Sequence, residues 1–119
     1  MALYTEWLVA NKTFKLRLTT MGTIALEEKL GRNPADIFLA LSEGVLPKVK
    51  DIVLVLHQAL QPFHSTYSID KSAELLDLYF EEGHTVYEFL TSVVMKVFQS
   101  AGLLSSEDDD TKDDEEQKN

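Results

Sequence analysis

The chain has 119 residues, of which 45% are hydrophobic and 26% are charged, and its formal net charge is −9. This length and composition suit one compact domain with a single core. The absence of cysteine excludes disulfides, thiol catalysis and cysteine-based metal sites, and the acidic balance argues against non-specific binding to nucleic acid.

The negative charge is concentrated at the end of the chain. Residues 105–119 contain eight carboxylates and two lysines, a net charge of −6, and no apolar side chain. Because such a segment repels itself and has nothing to bury, we predict a compact domain at 1–104 and a disordered acidic tail at 105–119. Within the domain, residues 1–50 carry +2 and residues 51–104 carry −5. Two ends of unlike charge would favour self-association. From these net charges alone, however, we favour the interpretation that the charged residues are simply scattered over a small surface.

The N-terminal residues predict a β-hairpin. Residues 7–9 are apolar, residues 11–12 can form a turn, and residues 14–18 alternate between apolar and basic side chains. The alternation places the apolar side chains on one face of a strand, with Lys15 and Arg17 on the other. Because a lone hairpin is marginally stable, we expect its apolar face to pack on helices.

Five helices are predicted to follow, bounded by capping residues or by glycine and proline. With their caps they cover residues 19–31, 33–44, 47–62, 70–82 and 85–102. The third is apolar on nearly all sides, so we predict that it is the most buried. The fifth begins with Thr85 and Glu88 at the spacing of a capping box, in which each side chain accepts a hydrogen bond from the other residue's backbone N–H. The predicted fold class is α+β and mainly α, an N-terminal β-hairpin packed on about five helices and followed by the acidic tail.

No pattern typical of catalysis or metal binding is present. The chain lacks the glycine-rich and serine motifs of nucleotide-binding and hydrolytic enzymes. His57, His64 and His84 are not at metal-ligand spacing, and the acidic run at 107–116 lacks the glycine and spaced ligands of a calcium loop. We therefore expect a protein that is not an enzyme and needs neither cofactor nor metal.

The N-terminus has no basic region followed by a long apolar stretch, and no window approaches the length of a membrane span. We expect no signal peptide, a cytoplasmic location, and neither membrane nor nucleic acid among the partners.

The candidate partner-binding residues are of two kinds. Lys15 and Arg17 are the cations on the outer face of the predicted hairpin. Trp7, Phe63 and Tyr67 are aromatic residues that a small core cannot fully cover. Trp7 also has a competing interpretation, in which it covers the helices beneath the hairpin.

Two stretches, residues 14–20 (FKLRLTT) and 24–34 (IALEEKLGRNP), resemble the tail assembly chaperones of long-tailed phages and prophages. Proteins of that family often combine such a strand end and Thr-Thr cap with this first helix and a following Asn-Pro. The similarity covers roughly residues 7–41. The remainder agrees in its helical character, its length and its acidic end.

The resemblance implies a non-enzymatic role in the host cytoplasm. Such chaperones bind the long helical tape measure protein, keep it soluble and help to recruit tail tube subunits. This chain would be the short form, accompanied by a longer form that programmed ribosomal frameshifting produces and whose extension binds the tail tube protein. Many copies of a small domain are needed to cover a long partner, so self-association is expected. The family has no catalytic motif, and no catalytic residue is carried over.

Two other functions compete with this one. The first is an acidic regulatory or adaptor protein, such as a DNA-mimic inhibitor. A mimic needs carboxylates fixed on a rigid face at phosphate-like spacing, whereas most of the acid here lies in the predicted tail. The second is a small enzyme or ligand-binding domain, which requires a pocket of convergent polar groups, and the sequence offers no candidate set.

Overall fold

The computed structural model describes residues 3–105 and confirms the predicted fold class, with a β-hairpin followed by five helices in this range. Apart from Ser105, the predicted acidic tail lies outside the described residues. The elements are β1 Thr5–Val9, β2 Lys12–Leu16, α1 Thr20–Leu30, α2 Asp36–Ser42, α3 Val49–Leu60, α4 Ile69–Glu81, and a continuous α5 made of Val86–Phe89, Leu90–Val94 and Met95–Ser100.

β1 and β2 pair antiparallel, with Trp7 opposite Phe14. Ala10 and Asn11 form the connecting turn, and both have positive φ, 52° and 62°. This is the signature of a type I′ turn, whose twist matches that of the two strands. The turn therefore lies one residue earlier than the predicted position at 11–12, because Asn11 occupies its second central position rather than its first.

Replacing Ala10 with glycine is expected to stabilise the protein. Ala10 has a left-handed backbone conformation, which costs an L-residue about 1 kcal/mol and costs glycine almost nothing. We expect Ala10→Gly to raise the free energy of unfolding by up to about 1 kcal/mol in urea denaturation. The matched control, Ala25→Gly inside α1, should lower it by about 1 kcal/mol. Equal losses in both variants would contradict the strained turn.

The core lies between the inner face of the hairpin and helices α3, α4 and α5. The inward-pointing side chains of the two strands are buried, except for that of Lys12 beside the turn, which is exposed. Five consecutive residues of α3, Ile52 to Leu56, are also buried, which confirms the prediction that this helix is the most covered. The backbone N–H of Arg17 donates to the carbonyl of Ala59 at 2.9 Å and joins the end of β2 to α3.

The N-terminus of α2 differs from its prediction. The helix begins at Asp36, whereas Pro34 was expected to be its first residue. The Asn33 side chain accepts a hydrogen bond from the N–H of Ala35 at 2.9 Å, which is the capping bond predicted for Asn33. The turn that follows is held by i→i+3 hydrogen bonds, such as that from the N–H of Asp36 to the carbonyl of Asn33, and precedes the helix. α1 begins and ends as predicted, with the Thr19 hydroxyl accepting from the N–H of Gly22 and Gly31 in a left-handed conformation at its end.

α5 has two features that its sequence pattern does not predict. The Thr85 hydroxyl accepts from the N–H of Glu88 at 3.1 Å, but the Glu88 carboxylate lies 2.7 Å from His84 Nδ1 instead of returning to Thr85. The predicted capping box is therefore half formed. The middle of the helix, Leu90–Val94, is π-helical. Such a wider turn shifts the phase of the helix and keeps the apolar residues on both sides of it buried.

Candidate functional site

An open cleft of about 920 Å³ lies at the open end of the hairpin, where β1 begins and β2 ends. We call it the hairpin cleft. It is formed by the start of β1, the end of β2, the α3–α4 connection and α5, and its lining residues are Leu3, Tyr4, Thr5, Glu6, Arg17, Phe63 and Lys96.

One wall of the hairpin cleft combines aromatic rings with a cation. The rings of Tyr4 and Phe63 meet edge to face with their centroids 5.6 Å apart. The Lys15 ammonium nitrogen lies 4.9 Å from the Tyr4 ring centroid and 5.6 Å from that of Phe63, which are cation–π distances. Phe63 remains 44% exposed. This wall therefore offers a partner apolar area and positive charge side by side.

The hairpin cleft is positively charged although the chain is acidic. Lys15, Arg17 and Lys96 lie in or beside it, and Glu6 is the one carboxylate among its lining residues. Within residues 3–105, Arg32 and Asp51 form a side-chain ion pair, and the Glu88 carboxylate contacts His84 Nδ1 at 2.7 Å. No carboxylate in this range lies at ion-pair distance from any of the three cleft cations. Each cation can therefore attract an acidic partner.

The two edges of the hairpin differ in how their backbone groups are used. In this register Glu6, Leu8 and Lys15 direct their N–H groups away from the opposite strand. On β2, the Lys15 N–H donates to His64 Nε2 at 3.0 Å. On β1, the N–H groups of Glu6 and Leu8 meet no acceptor in the part of the chain that the structure describes. The β1 edge beside the cleft is therefore open to another chain.

His64 is held against the hairpin as a neutral imidazole. Its Nε2 accepts the Lys15 N–H, so the ring proton lies on Nδ1. Its ring centroid is 5.1 Å from that of Phe14. Burial lowers the pKa of His64 below 6.5, and the charges of Lys12 and Lys15 lower it further. Burial also lowers the pKa of His57, with a smaller effect from Lys29.

These lowered pKa values predict a loss of stability in mild acid. Below about pH 6.5 the unfolded chain binds protons that His57 and His64 resist in the folded state. The free energy of unfolding should therefore be constant above that pH and fall as the pH drops through the lowered pKa values. His64→Gln keeps an acceptor for the Lys15 N–H but does not titrate. We expect its unfolding free energy, measured by urea denaturation, to depend less steeply on pH between about 7 and 5.5. An unchanged slope would contradict the role of His64.

The structure brings three of the five predicted partner-binding residues together. Lys15, Arg17 and Phe63 all lie at the hairpin cleft. Tyr67 is half-buried against Phe14, outside the cleft, with ring centroids 5.5 Å apart. No signal in the sequence identifies the third cation, Lys96, because its position depends on how α5 packs beside β1.

The expectation that Trp7 remains uncovered is wrong. Trp7 is 2% exposed, and its ring centroid lies 6.1, 5.5 and 5.2 Å from those of Phe14, Tyr79 and Phe89. Strand alternation places it on the inner face of the hairpin, between β2, α4 and α5. It is a core residue and is not available to a partner.

A second groove, of about 490 Å³, lies on the basic half of the chain. We call it the α2–α3 groove. Its lining residues are Lys29, Leu30, Arg32, Ile37, Ala40, Val45, Leu46, Pro47, Lys48, Lys50 and Asp51. Arg32 and Asp51 pair at 3.0 Å, which leaves three lysines beside exposed Val45 and Leu46.

Residues 3–105 contain no group of three or more histidines or carboxylates placed to hold a metal ion. None of the helices in this range combines the length and apolar character that crossing a lipid bilayer requires. Comparisons with models of known protein families, with curated proteins and with solved structures returned no match to this chain.

Proposed function

We propose that this protein is a non-enzymatic tail assembly chaperone of a long-tailed phage or prophage, acting in the host cytoplasm. It binds the tape measure protein, keeps it soluble and helps to recruit tail tube subunits. The observation that carries the proposal is the hairpin cleft, where the half-exposed ring of Phe63 adjoins Lys15 and Arg17. Such a surface suits a long helical partner with apolar and acidic side chains on one side. The resemblance of residues 14–34 to this family supports the same function.

The proposal includes self-association along the tape measure protein. A small domain covers a long partner only as many copies, and two surfaces of unlike charge are available for contact between them. Asp70, Glu74, Asp77 and Glu81 form an exposed row along α4, and the α2–α3 groove carries three lysines without a described ion-pair partner. The α4 row of one copy would face the groove of the next in a head-to-tail arrangement.

Light scattering coupled to size-exclusion chromatography tests this self-association. Particles larger than one chain are expected at low salt, and dissociation is expected at about 1 M salt, where the Debye length is about 3 Å. A strict monomer at high concentration in both conditions would remove the head-to-tail arrangement from the proposal.

Recruitment of the tail tube protein is assigned to a longer form of the chain. In this proposal frameshifting extends the described domain, so that the domain holds the tape measure protein while the extension binds tube subunits. The support is the resemblance of residues 14–34 to this family.

Co-expression tests the chaperone function. The partner is the longest helical protein encoded beside a tail tube gene in the same genome, produced alone and together with this chain. We expect the partner to be insoluble when produced alone and soluble when produced with this chain. The two proteins should then co-elute in size-exclusion chromatography. An equal insoluble fraction with and without the chain would overturn the proposal.

The row of carboxylates on α4 favours a second candidate, an acidic regulatory or adaptor protein such as a DNA-mimic inhibitor. The four carboxylates span twelve residues of one rigid helix, a length of eleven helical steps or about 16 Å at 1.5 Å per residue. Their average separation is about 5.5 Å, against about 3.4 Å per phosphate along one DNA strand. The carboxylates are more widely spaced than DNA phosphates, and they form a single row where duplex DNA has two. This candidate therefore ranks second. Capture of DNA-binding enzymes by the immobilised protein, reversed by added DNA, would favour it.

A further inference from the structure

We propose that the acidic segment 107–116 of this chain docks in its own hairpin cleft and competes there with partners for the cleft cations. The docking would regulate access to the surface assigned above to the tape measure protein. It requires no tape measure protein itself, so it can be tested independently of the chaperone function.

The described chain ends close to the cleft. The side-chain amide of Gln99 donates to the carbonyl of Ser105 at 3.2 Å, which holds the last described residue against the last turn of α5. Leu103 and Leu104 pack against the core over the same stretch. Lys96, which lines the cleft, precedes Gln99 by three residues, or about 5 Å along the helix axis. The chain therefore leaves the domain beside Gln99, on the helix that also carries the cleft cation Lys96.

The length of chain beyond Ser105 is sufficient to cross the cleft. The acidic segment begins two residues later and contains ten residues, which span at most about 33–36 Å when extended. This reach exceeds the width of a cleft of about 920 Å³. The same segment can thus reach Lys96 on one side and Arg17 and Lys15 on the other.

The charges of the segment and the cleft are complementary. Residues 107–116 contain eight carboxylates and one lysine. The cleft supplies Lys15, Arg17 and Lys96, none of which is in an ion pair with a residue of the described range. Because the segment is attached to the same chain, its effective concentration at the cleft is about millimolar, which makes even weak ionic contacts significant.

The α2–α3 groove provides an internal comparison. Its lysines, Lys29, Lys48 and Lys50, form a second positive surface of similar charge. They lie on α1 and at the start of α3, whereas Lys96 lies on the helix that leads directly to the acidic segment. α2, which lines the groove, also packs against the end of α5 through Phe38 and Phe98. The cleft differs from the groove in that one of its cations lies on the helix leading to the segment, and the cross-linking below compares the two surfaces directly. A partner that binds the cleft must displace the segment, so neutralising the segment should strengthen partner binding.

Zero-length cross-linking of the full chain tests the docking. A carbodiimide joins carboxylates to lysine amines only where they touch, and mass spectrometry of the monomer band locates the links. The yield of links at each lysine is divided by the yield of its reaction with carbodiimide-activated acetate under the same conditions, which corrects for differences in lysine reactivity. We expect links from residues 107–116 at least threefold enriched at Lys15 and Lys96 over Lys29, Lys48 and Lys50, and their loss at about 1 M salt. Even distribution over all lysines, enrichment at the groove lysines, or links confined to dimers would overturn the proposal.

A second measurement uses a variant with the eight carboxylates of the segment changed to amides, Asp→Asn and Glu→Gln. Backbone amide spectra of this variant and of the unaltered chain are compared at low salt. We expect chemical-shift differences among residues 3–105 to be confined to the cleft, at Tyr4, Glu6, Arg17, Phe63 and Lys96. Identical spectra for residues 3–105, or differences centred on the α2–α3 groove, would overturn the docking whatever the outcome of co-expression with a tape measure protein.

Discussion

Replacing Trp7 with alanine is expected to lower the free energy of unfolding by about 3–5 kcal/mol. Trp7 is 2% exposed and packs against Tyr79 and Phe89, so it joins the hairpin to α4 and α5. This loss is a large part of the roughly 5–15 kcal/mol that stabilises a typical domain. Urea denaturation followed by circular dichroism measures it, because the variant lacks the single tryptophan that fluorescence would require.

Two further variants provide comparisons for the loss of stability in Trp7→Ala. Trp7→Phe keeps an aromatic ring in place and removes an indole N–H that is buried without a partner in the described range, so the expected loss is below about 1.5 kcal/mol. Phe63→Ala alters an aromatic side chain that is largely at the surface and should cost less than about 1 kcal/mol. If Trp7→Ala is no more destabilising than Phe63→Ala, the hairpin is not part of the core.

Reversing a charge and removing an aromatic ring in the hairpin cleft is expected to abolish the proposed chaperone activity. The double variant Arg17→Glu with Phe63→Ser reverses one cleft cation and removes the exposed ring that contacts Tyr4 and Lys15. In co-expression we expect the soluble fraction of the tape measure protein to fall at least tenfold. Circular dichroism of the purified variant should match that of the unaltered chain.

The matched control lies at the other end of the same hairpin. Leu8→Ser with Lys12→Glu makes the same chemical changes at two exposed positions next to the turn, and neither residue lines the cleft. This variant should keep the tape measure protein soluble. An equal loss in both double variants would show that overall charge, and not the cleft, determines solubility.

Much of the fold could be predicted from local sequence patterns. Strand alternation and helix caps are short-range signals, which is why α1 and the two strands agree with their predictions, although the turn between the strands lies one residue earlier. The errors arise where two local interactions compete. At the start of α2, a turn of i→i+3 hydrogen bonds takes the place of the first predicted helical residues, and Glu88 contacts His84 in place of Thr85. The π-helical turn in α5 depends on packing around it, which no short window of sequence contains.

The candidate site was partly predictable for the same reason. Alternation in β2 places Lys15 and Arg17 on the outer face and, applied equally to β1, places Trp7 on the inner face. The sequence left two interpretations of Trp7 open, and its contacts with Tyr79 and Phe89 support the one in which it covers the helices beneath the hairpin. Lys96 could not be assigned, because it reaches the cleft only through the packing of α5 beside β1.

Hydrogen exchange on the purified complex tests most directly whether the hairpin cleft holds the tape measure protein. The N–H of Glu6 meets no acceptor among the described residues, so it should exchange rapidly in the isolated chain. When the tape measure protein binds, we expect hydrogen exchange to slow at residues 4–6 and 63–64. In complexes that contain a single copy of this chain, the exchange rates of the α2–α3 groove should not change. A complex that co-elutes but leaves residues 4–6 and 63–64 unprotected would contradict the assignment of the cleft.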